Sequence, residues 1–399
     1  MGSAVSGNAI QEMTKESGSP RSVYVHAPFC ARRCFYCDFP VTVAPANLGR
    51  WLEAIERELA LVREEGFFEP DEELTSLFVG GGTPSLLGAD AMAGVAEVIG
   101  LRDPVGSGLE WTAEANPDSF SAEVARGWSK AGVNRISLGV QSFQPGALRW
   151  LRRLHGPEGA RNAIQRARAA GIENINLDLM FGLPREVARN WALDLDTALS
   201  LRVPHLSLYG LTVEKGTPLC RSVEEGSVSA PREEDYREEY LRASERLTAE
   251  GYHHYEVSNF AWPGHESLHN EAYWRSAPYL GLGNGAHSFR GRWRRWNLVE
   301  WEEYQKALEE GNVPWGSGEE LDDEALRLEG VWLGLRTSDG LATDGLGDEP
   351  MNVARSWKAA GWARITGRRI RLTPTGWLLL DELALTMDSA LRSCRPAMG

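Results

Sequence analysis

No run of apolar residues in this 399-residue chain reaches the roughly 20 that a membrane-spanning helix requires, which excludes an integral membrane helix. Positive charge is also in short supply: 42 Lys and Arg face 56 Asp and Glu, for a formal net charge of −14. A general nucleic-acid surface needs clustered cations to neutralise phosphates, so this balance argues against a nucleic-acid partner and leaves room only for a local basic patch. Cysteine is scarce, five in all, and an odd count with three of them inside residues 30–37 speaks against a disulfide framework and for a reducing compartment. The first twenty residues are rich in Gly, Ser and charge. They lack both the hydrophobic segment of a secretory signal and an Arg-rich amphipathic pattern, and read as a disordered leader. These absences lead us to expect a cytoplasmic protein.

What is present is the make-up of an ordinary globular protein, 42% hydrophobic and 25% charged, with enough length for two domains. The most telling stretch is residues 23–40, VYVHAPFCARRCFYCDFP, in which Cys30, Cys34 and Cys37 follow a C-x-x-x-C-x-x-C spacing. Three thiolates on one short loop behind a β-prone run can cap three irons of a cubic 4Fe-4S cluster and leave the fourth iron open. S-adenosylmethionine suits that open place, because its amino and carboxylate groups can chelate iron while its sulfonium accepts an electron. The competing reading is a zinc site, although structural zinc prefers four tetrahedral ligands.

This loop resembles the cluster loop of radical SAM proteins. Its flanks, Tyr24, His26, Pro28 and Phe29 before the first cysteine and Asp38 and Phe39 after the last, resemble the oxygen-independent coproporphyrinogen III oxidase family, and within it the heme chaperone branch.

From residue 22 to about 210, short β-branched runs alternate with amphipathic stretches, the pattern of successive βα units on a parallel sheet. Six strands are predicted, at 22–26, 75–79, 109–114, 135–140, 175–180 and 205–209. Leu48, Leu52, Ile55, Leu59 and Val62 mark the inner face of the first helix. Ser121 reads as an N-cap, and Gly132 and Gly171 as helix ends. Six units are two short of a closed barrel. The expected fold is therefore α/β, a partial (β/α)6 barrel over residues 21–300, followed by a small helical, winged-helix-like domain over 301–399.

Ligands are expected at the carboxyl ends of the strands, by analogy with complete barrels and open parallel sheets. Each end carries a marked residue: Gly80 to Thr83, Glu114 and Asn116, Gln141, Asp178 and Tyr209. A triple glycine lets backbone approach a ligand closely, but it equally serves a tight turn. Likewise, most acids of this kind are caps or solvated charges. GGGTPS, EANP, GVQSF and LDLMFGLP resemble family segments at the expected strand positions, and the resemblance implies S-adenosylmethionine contacts at Tyr24, Tyr36, Gly81, Gly82, Thr83, Glu114, Gln141, Arg153 and Asp178.

Further on, a charged helix is predicted over 232–251 and one strand over 254–260, followed by a long loop. That loop holds His269, Asn270, Tyr273 and Trp274, which match the HNxxYW motif of the heme chaperone branch at all four specified positions. A neutral imidazole can ligate heme iron, and Tyr and Trp can line a porphyrin face, so His269 is the expected axial ligand with Tyr273 and Trp274 beside the ring. A histidine in a loop is otherwise most often a surface or hydrogen-bonding residue. No C-x-x-C-H follows, so nothing signals covalent heme attachment. YLGLGNGAHSF, with His287, resembles the segment that closes over S-adenosylmethionine in relatives. Residues 293–296, WRRW, could meet a porphyrin and its propionates, but are read first as an interdomain surface. Helices are predicted over 300–310, 322–335, 353–360 and 374–385, with a hairpin through Ile365 and Ile370 whose Arg364, Arg368, Arg369 and Arg371 make a basic wing. Cys220 and Cys394 are read as ordinary cysteines.

Two functions from different classes follow from the resemblance. One is a chaperone that binds heme and transfers it to an unidentified acceptor protein, membrane-associated or not. The other is a radical SAM enzyme that decarboxylates coproporphyrinogen III. The decarboxylases carry a further cysteine where this chain has Phe39 and lack HNxxYW, which favours the chaperone. A heme-degrading methyltransferase does not explain that motif, and a plain electron carrier leaves the Gly-rich strand ends unused.

Overall fold

The computed structural model describes residues 18–71, 73–102, 106 and 108–393. The leader (apart from residues 18–20) and Cys394 lie outside the described residues. Six strands, β1 (Ser22–Ala27), β2 (Ser76–Gly81), β3 (Glu110–Ala115), β4 (Arg135–Gln141), β5 (Asn174–Phe181) and β6 (His205–Gly210), lie side by side in chain order, each parallel to the next. Their side chains alternate by face, as strand geometry requires. One face carries Val23, Val25, Leu77, Val79, Trp111, Ile136, Leu138, Ile175, Leu177, Leu206 and Leu208, all buried under helices. The opposite face, which forms the lumen of the curved sheet, is polar and also buried: Ser76, Glu110, Thr112, Arg135, Ser137, Asn176, His205 and Ser207.

The Leu48–Glu65 helix shows how the outer layer is made. Asn47 caps it by accepting from Arg50 N, and Gly66 ends it in the left-handed region at φ 69°. It buries Trp51, Ile55, Leu59 and Val62, each contributing about 1.5–3 kcal/mol if fully removed from water. Trp51 also donates its indole N–H to His26 O at 2.9 Å, tying helix to strand. Ser121 caps the Ala122–Ala131 helix through Val124 N, and Gly132 closes it at φ 110°.

Both edges of the six-stranded unit are extended. On one side β9 (Tyr279–Leu282) runs parallel to β1, followed by antiparallel β10 (His287–Arg290), β11 (Trp293–Asn297) and β12 (Trp315–Glu320). On the other, β8 (Asn259–Ala261) and β7 (His253–Glu256) add a hairpin where a single strand was predicted. The stretch after it, predicted as a long loop, contains a seven-residue helix, Leu268–Trp274, capped by Ser267.

The change of pattern at residue 300 does not coincide with the end of the large sheet, because β12 still belongs to it. Beyond β12 come the Asp323–Arg336 and Asp348–Ala359 helices and a three-stranded wing, β13 (Leu341–Ala342), β14 (Ala363–Thr366) and β15 (Arg369–Leu372). The predicted last helix is split into Pro374–Trp377 and Leu380–Ser393. Leu335, Trp357, Ile370, Trp377 and Met387 form the buried centre of this layer. Among the described residues no helix is long and apolar enough to cross a membrane.

Candidate functional site

A cavity of about 390 Å³ opens at the carboxyl ends of the parallel strands, and Cys30, Cys34, Cys37, Tyr36, Gly81, Gly82, Thr83, Glu114, Gln141, Arg153 and Asp178 all line it. The cysteine loop leaves β1 and is closed on itself by Cys30 N to Thr42 O at 3.0 Å and Thr42 N to Pro28 O at 2.8 Å. Its three cysteines are free and half-buried. Burial pushes the Cys30 thiol up to about 11, opposed by a contact with the Thr83 hydroxyl at 3.5 Å, and burial raises Cys37 as well. Thiolates in such a place need a strong positive partner. Among the described residues no three His, Cys, Asp or Glu side chains gather around one point. The three cysteines of the loop are one short of the four ligands that structural zinc prefers, and match in number the three thiolates of a 4Fe-4S cluster with one open iron. Two buried polar atoms of the same cavity, Gln141 Oε1 and Arg153 Nε, have no hydrogen-bond partner among the described residues, as expected where a polar ligand belongs.

Two of the three glycines also make room for neighbouring protein. A Cβ on Gly81 would stand 2.4 Å from the His26 ring, and one on Gly82 2.7 Å from Phe29 O. The missing side chains admit the His26 ring of β1 and the backbone that leads into the cysteine loop. Gln141 ends β4 at φ 68°, a backbone conformation that costs a non-glycine residue energy and is common at functional sites. Arg153 donates to Gly139 O and Asn116 Oδ1, and reaches Cys34 Sγ at 3.5 Å. Glu114 accepts from Gly81 N at 3.0 Å. Burial, and then the nearby Asp178, push its carboxyl up to about 8. Burial lifts Asp178 to about 6, against hydrogen bonds from Asn176 Nδ2 at 2.7 Å and from Ser137. Near pH 7 the pair therefore holds roughly one proton between two carboxyls.

The HNxxYW residues sit on the Leu268–Trp274 helix, inside the lumen. His269 is 1% exposed, with Nδ1 2.9 Å from Ser76 Oγ and Nε2 2.8 Å from Tyr273 OH. Burial, then Arg135, lower it to about 3, so the ring is neutral. Coordination of an iron by His269 would require the bond at one of these two nitrogens to give way to the metal. Glu110 caps this helix, accepting from Leu268 N and His269 N at 3.1 Å each. A buried polar chain joins the helix to the first cavity: Asp178 to Asn176, Asn176 Oδ1 to His205 Nδ1 at 2.6 Å, His205 Nε2 to Tyr255 OH at 2.8 Å, and Tyr255 to Ser267 N at 3.3 Å. Trp274 lies under the Arg336 guanidinium, 4.1 Å from its ring centre, and Arg336 pairs with buried Glu256 at 2.8 Å.

A second cavity, of about 530 Å³, adjoins the first through the shared residues Phe39 and Gly81. Tyr24, Tyr273, Trp274, Tyr279, Phe289, His287 and Trp332 line it. Tyr24 and His287, grouped by sequence with the S-adenosylmethionine contacts, thus face this second space. Tyr24 donates to His26 Nδ1 at 3.0 Å, and His26 Nε2 donates to Pro40 O at 2.9 Å. The Arg residues of 293–296 turn inward to the protein: Arg294 pairs with Glu329 of the Asp323–Arg336 helix at 2.6 Å, and Arg295 lies 3.8 Å over Trp315. Tyr279, Phe289 and Trp332, and the Asn176, His205 and Tyr255 chain, were not singled out by sequence. The aromatic content of YLGL and HSF was the available signal for the first two, and none existed for Trp332.

The radical SAM superfamily model matches residues 24–197. The heme chaperone HemW of Mycobacterium tuberculosis is 37% identical over 375 residues, covering 93% of this chain and 95% of that protein. HemW of Bacillus subtilis is 36% identical over 325 residues, covering 81% and 85%. Among solved structures, the coproporphyrinogen III oxidase HemN of Escherichia coli, a radical SAM enzyme, shares the fold with a TM-score of 0.80 over 97% of this chain and 94% of that one, at 22% identity. With more than a third of its residues shared along almost the whole length of such a relative, the chain belongs to the HemW heme chaperone family of radical SAM proteins.

Proposed function

We propose that this protein takes heme into the aromatic second cavity and passes it to an acceptor protein. The observation that carries this reading is the junction of two unlike cavities at Phe39 and Gly81, one lined by three thiols and an acid pair, the other by Tyr273, Trp274, Tyr279 and Phe289. Flat aromatic walls offer a porphyrin both apolar area and ring contact. The volume lies within the roughly 300–1,000 Å³ usual for small-molecule sites.

Cys30, Cys34 and Cys37 would hold a 4Fe-4S cluster, with S-adenosylmethionine beside it, and when bound these groups supply one-electron chemistry. Thr83 steadies Cys30, and the Arg153 guanidinium offsets negative charge at Cys34. Glu114, mostly protonated near pH 7, and Asp178, mostly ionised, give the ligand one carboxyl donor and one anionic acceptor.

A second reading, coproporphyrinogen III decarboxylation, is favoured by the shared fold with HemN, but Phe39 stands where the family resemblance places the enzyme's additional cysteine. The two readings part in one experiment. Protein reconstituted with iron and sulfide is titrated with hemin, and separately incubated with coproporphyrinogen III, S-adenosylmethionine and a reductant. Saturable hemin binding without protoporphyrinogen is expected; formation of protoporphyrinogen IX would establish the oxidase instead.

A further inference from the structure

Resting on the heme-chaperone reading, we propose that His287 of β10, and not the motif histidine, supplies the axial nitrogen to heme iron, with Trp296 behind its ring holding the imidazole in position.

Three histidines stand in or next to the second cavity, and their hydrogen bonds separate them. His26 donates to Pro40 O and accepts from Tyr24, so neither nitrogen has a free lone pair. His269 is engaged at both nitrogens in the buried lumen, and its withdrawal would cost Ser76 one of its two hydrogen bonds and leave the Tyr273 hydroxyl without its imidazole partner. His287 lines the cavity, is largely exposed, and makes no side-chain hydrogen bond among the described residues.

The position is also built to aim a ring. His287 and Trp296 are directly opposite on the β10–β11 ladder, and their rings stack at 5.6 Å with an interplanar angle of 27°. The hairpin is fixed at its base by Asn297 N donating to Ala286 O at 2.9 Å. A cross-strand stack of this kind restricts the imidazole to few orientations while leaving its outer edge to the cavity. Partial burial beneath the protein surface, then the Arg294 guanidinium, lower the ring's proton affinity, with Glu319 opposing, so the lone pair is available at neutral pH. Coordination then consists of that lone pair entering an empty iron position, with no proton released. Tyr273 contributes ring contact from the opposite wall, so the HNxxYW helix shapes the pocket and His269 is a positioning residue that orients the Tyr273 hydroxyl.

The test uses full-length protein and two probes, hemin and metal-free protoporphyrin IX, followed by absorption and fluorescence titration. His287→Ala is expected to lose the imidazole-ligated Soret band and to regain it on addition of free imidazole, while protoporphyrin IX binds it as it binds wild type. His269→Gln, its fold checked by circular dichroism, is expected to keep the ligated band. An unchanged Soret band and hemin affinity in His287→Ala overturns the assignment, as does loss of the band in folded His269→Gln alone. If wild type binds neither probe, the heme reading itself falls along with the ligand assignment.

Discussion

Glu58 is a carboxyl in the core whose charge the fold tolerates only at a cost that can be measured. It lies on the Leu48–Glu65 helix, is 1% exposed, and accepts from Gly283 N at 2.7 Å, Tyr304 OH at 2.6 Å and Asn297 Nδ2. No cation faces it in these contacts. Burial raises it from 4.5 to about 7, and the three hydrogen bonds only partly offset that. A folded-state value above the unfolded one means that the site's contribution to stability is fully present below about pH 4.5 and is lost as pH rises to about 7. The gap of about 2.5 units corresponds to about 3 kcal/mol, or about 1.4 kcal/mol for each pH unit inside that window. Glu58→Gln keeps the size and removes the titration. Urea denaturation of both proteins between about pH 5 and about pH 8 should show wild type losing stability relative to the variant by about 3 kcal/mol. Glu114, Asp178 and the buried histidines titrate in both proteins and cancel in the difference. Parallel stability curves would refute the reasoning, and would mean that the three donors compensate the buried charge completely.

Cys34→Ala should fail to retain iron after anaerobic reconstitution, whereas Cys220→Ala should match wild type; a normal iron count in the first would remove the cluster assignment. Asp178→Asn should weaken S-adenosylmethionine tenfold to a hundredfold at about pH 7.5, where Asp178 is ionised, because a hydrogen bond to a charged group contributes about 1.5–3 kcal/mol. Calorimetric titration checks it, and an unchanged affinity would make the acid structural.

The six parallel strands were legible because each is a short β-branched run between amphipathic helices, and the structure places every one within two residues of its predicted ends. The strand-end residues were legible for the same reason: once the strands are known, their carboxyl ends are known. The hidden parts depend on contacts distant in sequence. The 262–278 stretch looks like a loop because a seven-residue helix has too few turns to show a period. Its surroundings, Ser76, Glu110 and Arg135, come from strands more than a hundred residues away. The sequence could therefore offer His269 as a ligand but could not show that it is buried and hydrogen-bonded at both nitrogens. Trp332 joins the second cavity only through the packing of the C-terminal layer against β11.

The polar chain that crosses the lumen has a direction. An ionised Asp178 can only accept, so Asn176 must present its amide hydrogens to it and its oxygen to His205. His205 must then carry its hydrogen on Nδ1, leaving Nε2 to accept from Tyr255, whose oxygen in turn receives Ser267 N–H. Ser207 donates to the same Asn176 oxygen at 3.1 Å, in agreement with that sense. The chain cannot be reversed one link at a time, since any single flip sets donor against donor or acceptor against acceptor among buried groups. A proton placed on the Asp178 oxygen that faces Asn176 would conflict with the whole row, whereas a cation or donor at its other oxygen would leave every link intact. The charge state of one carboxylate at the mouth of the barrel thereby dictates the tautomer of a histidine at its floor.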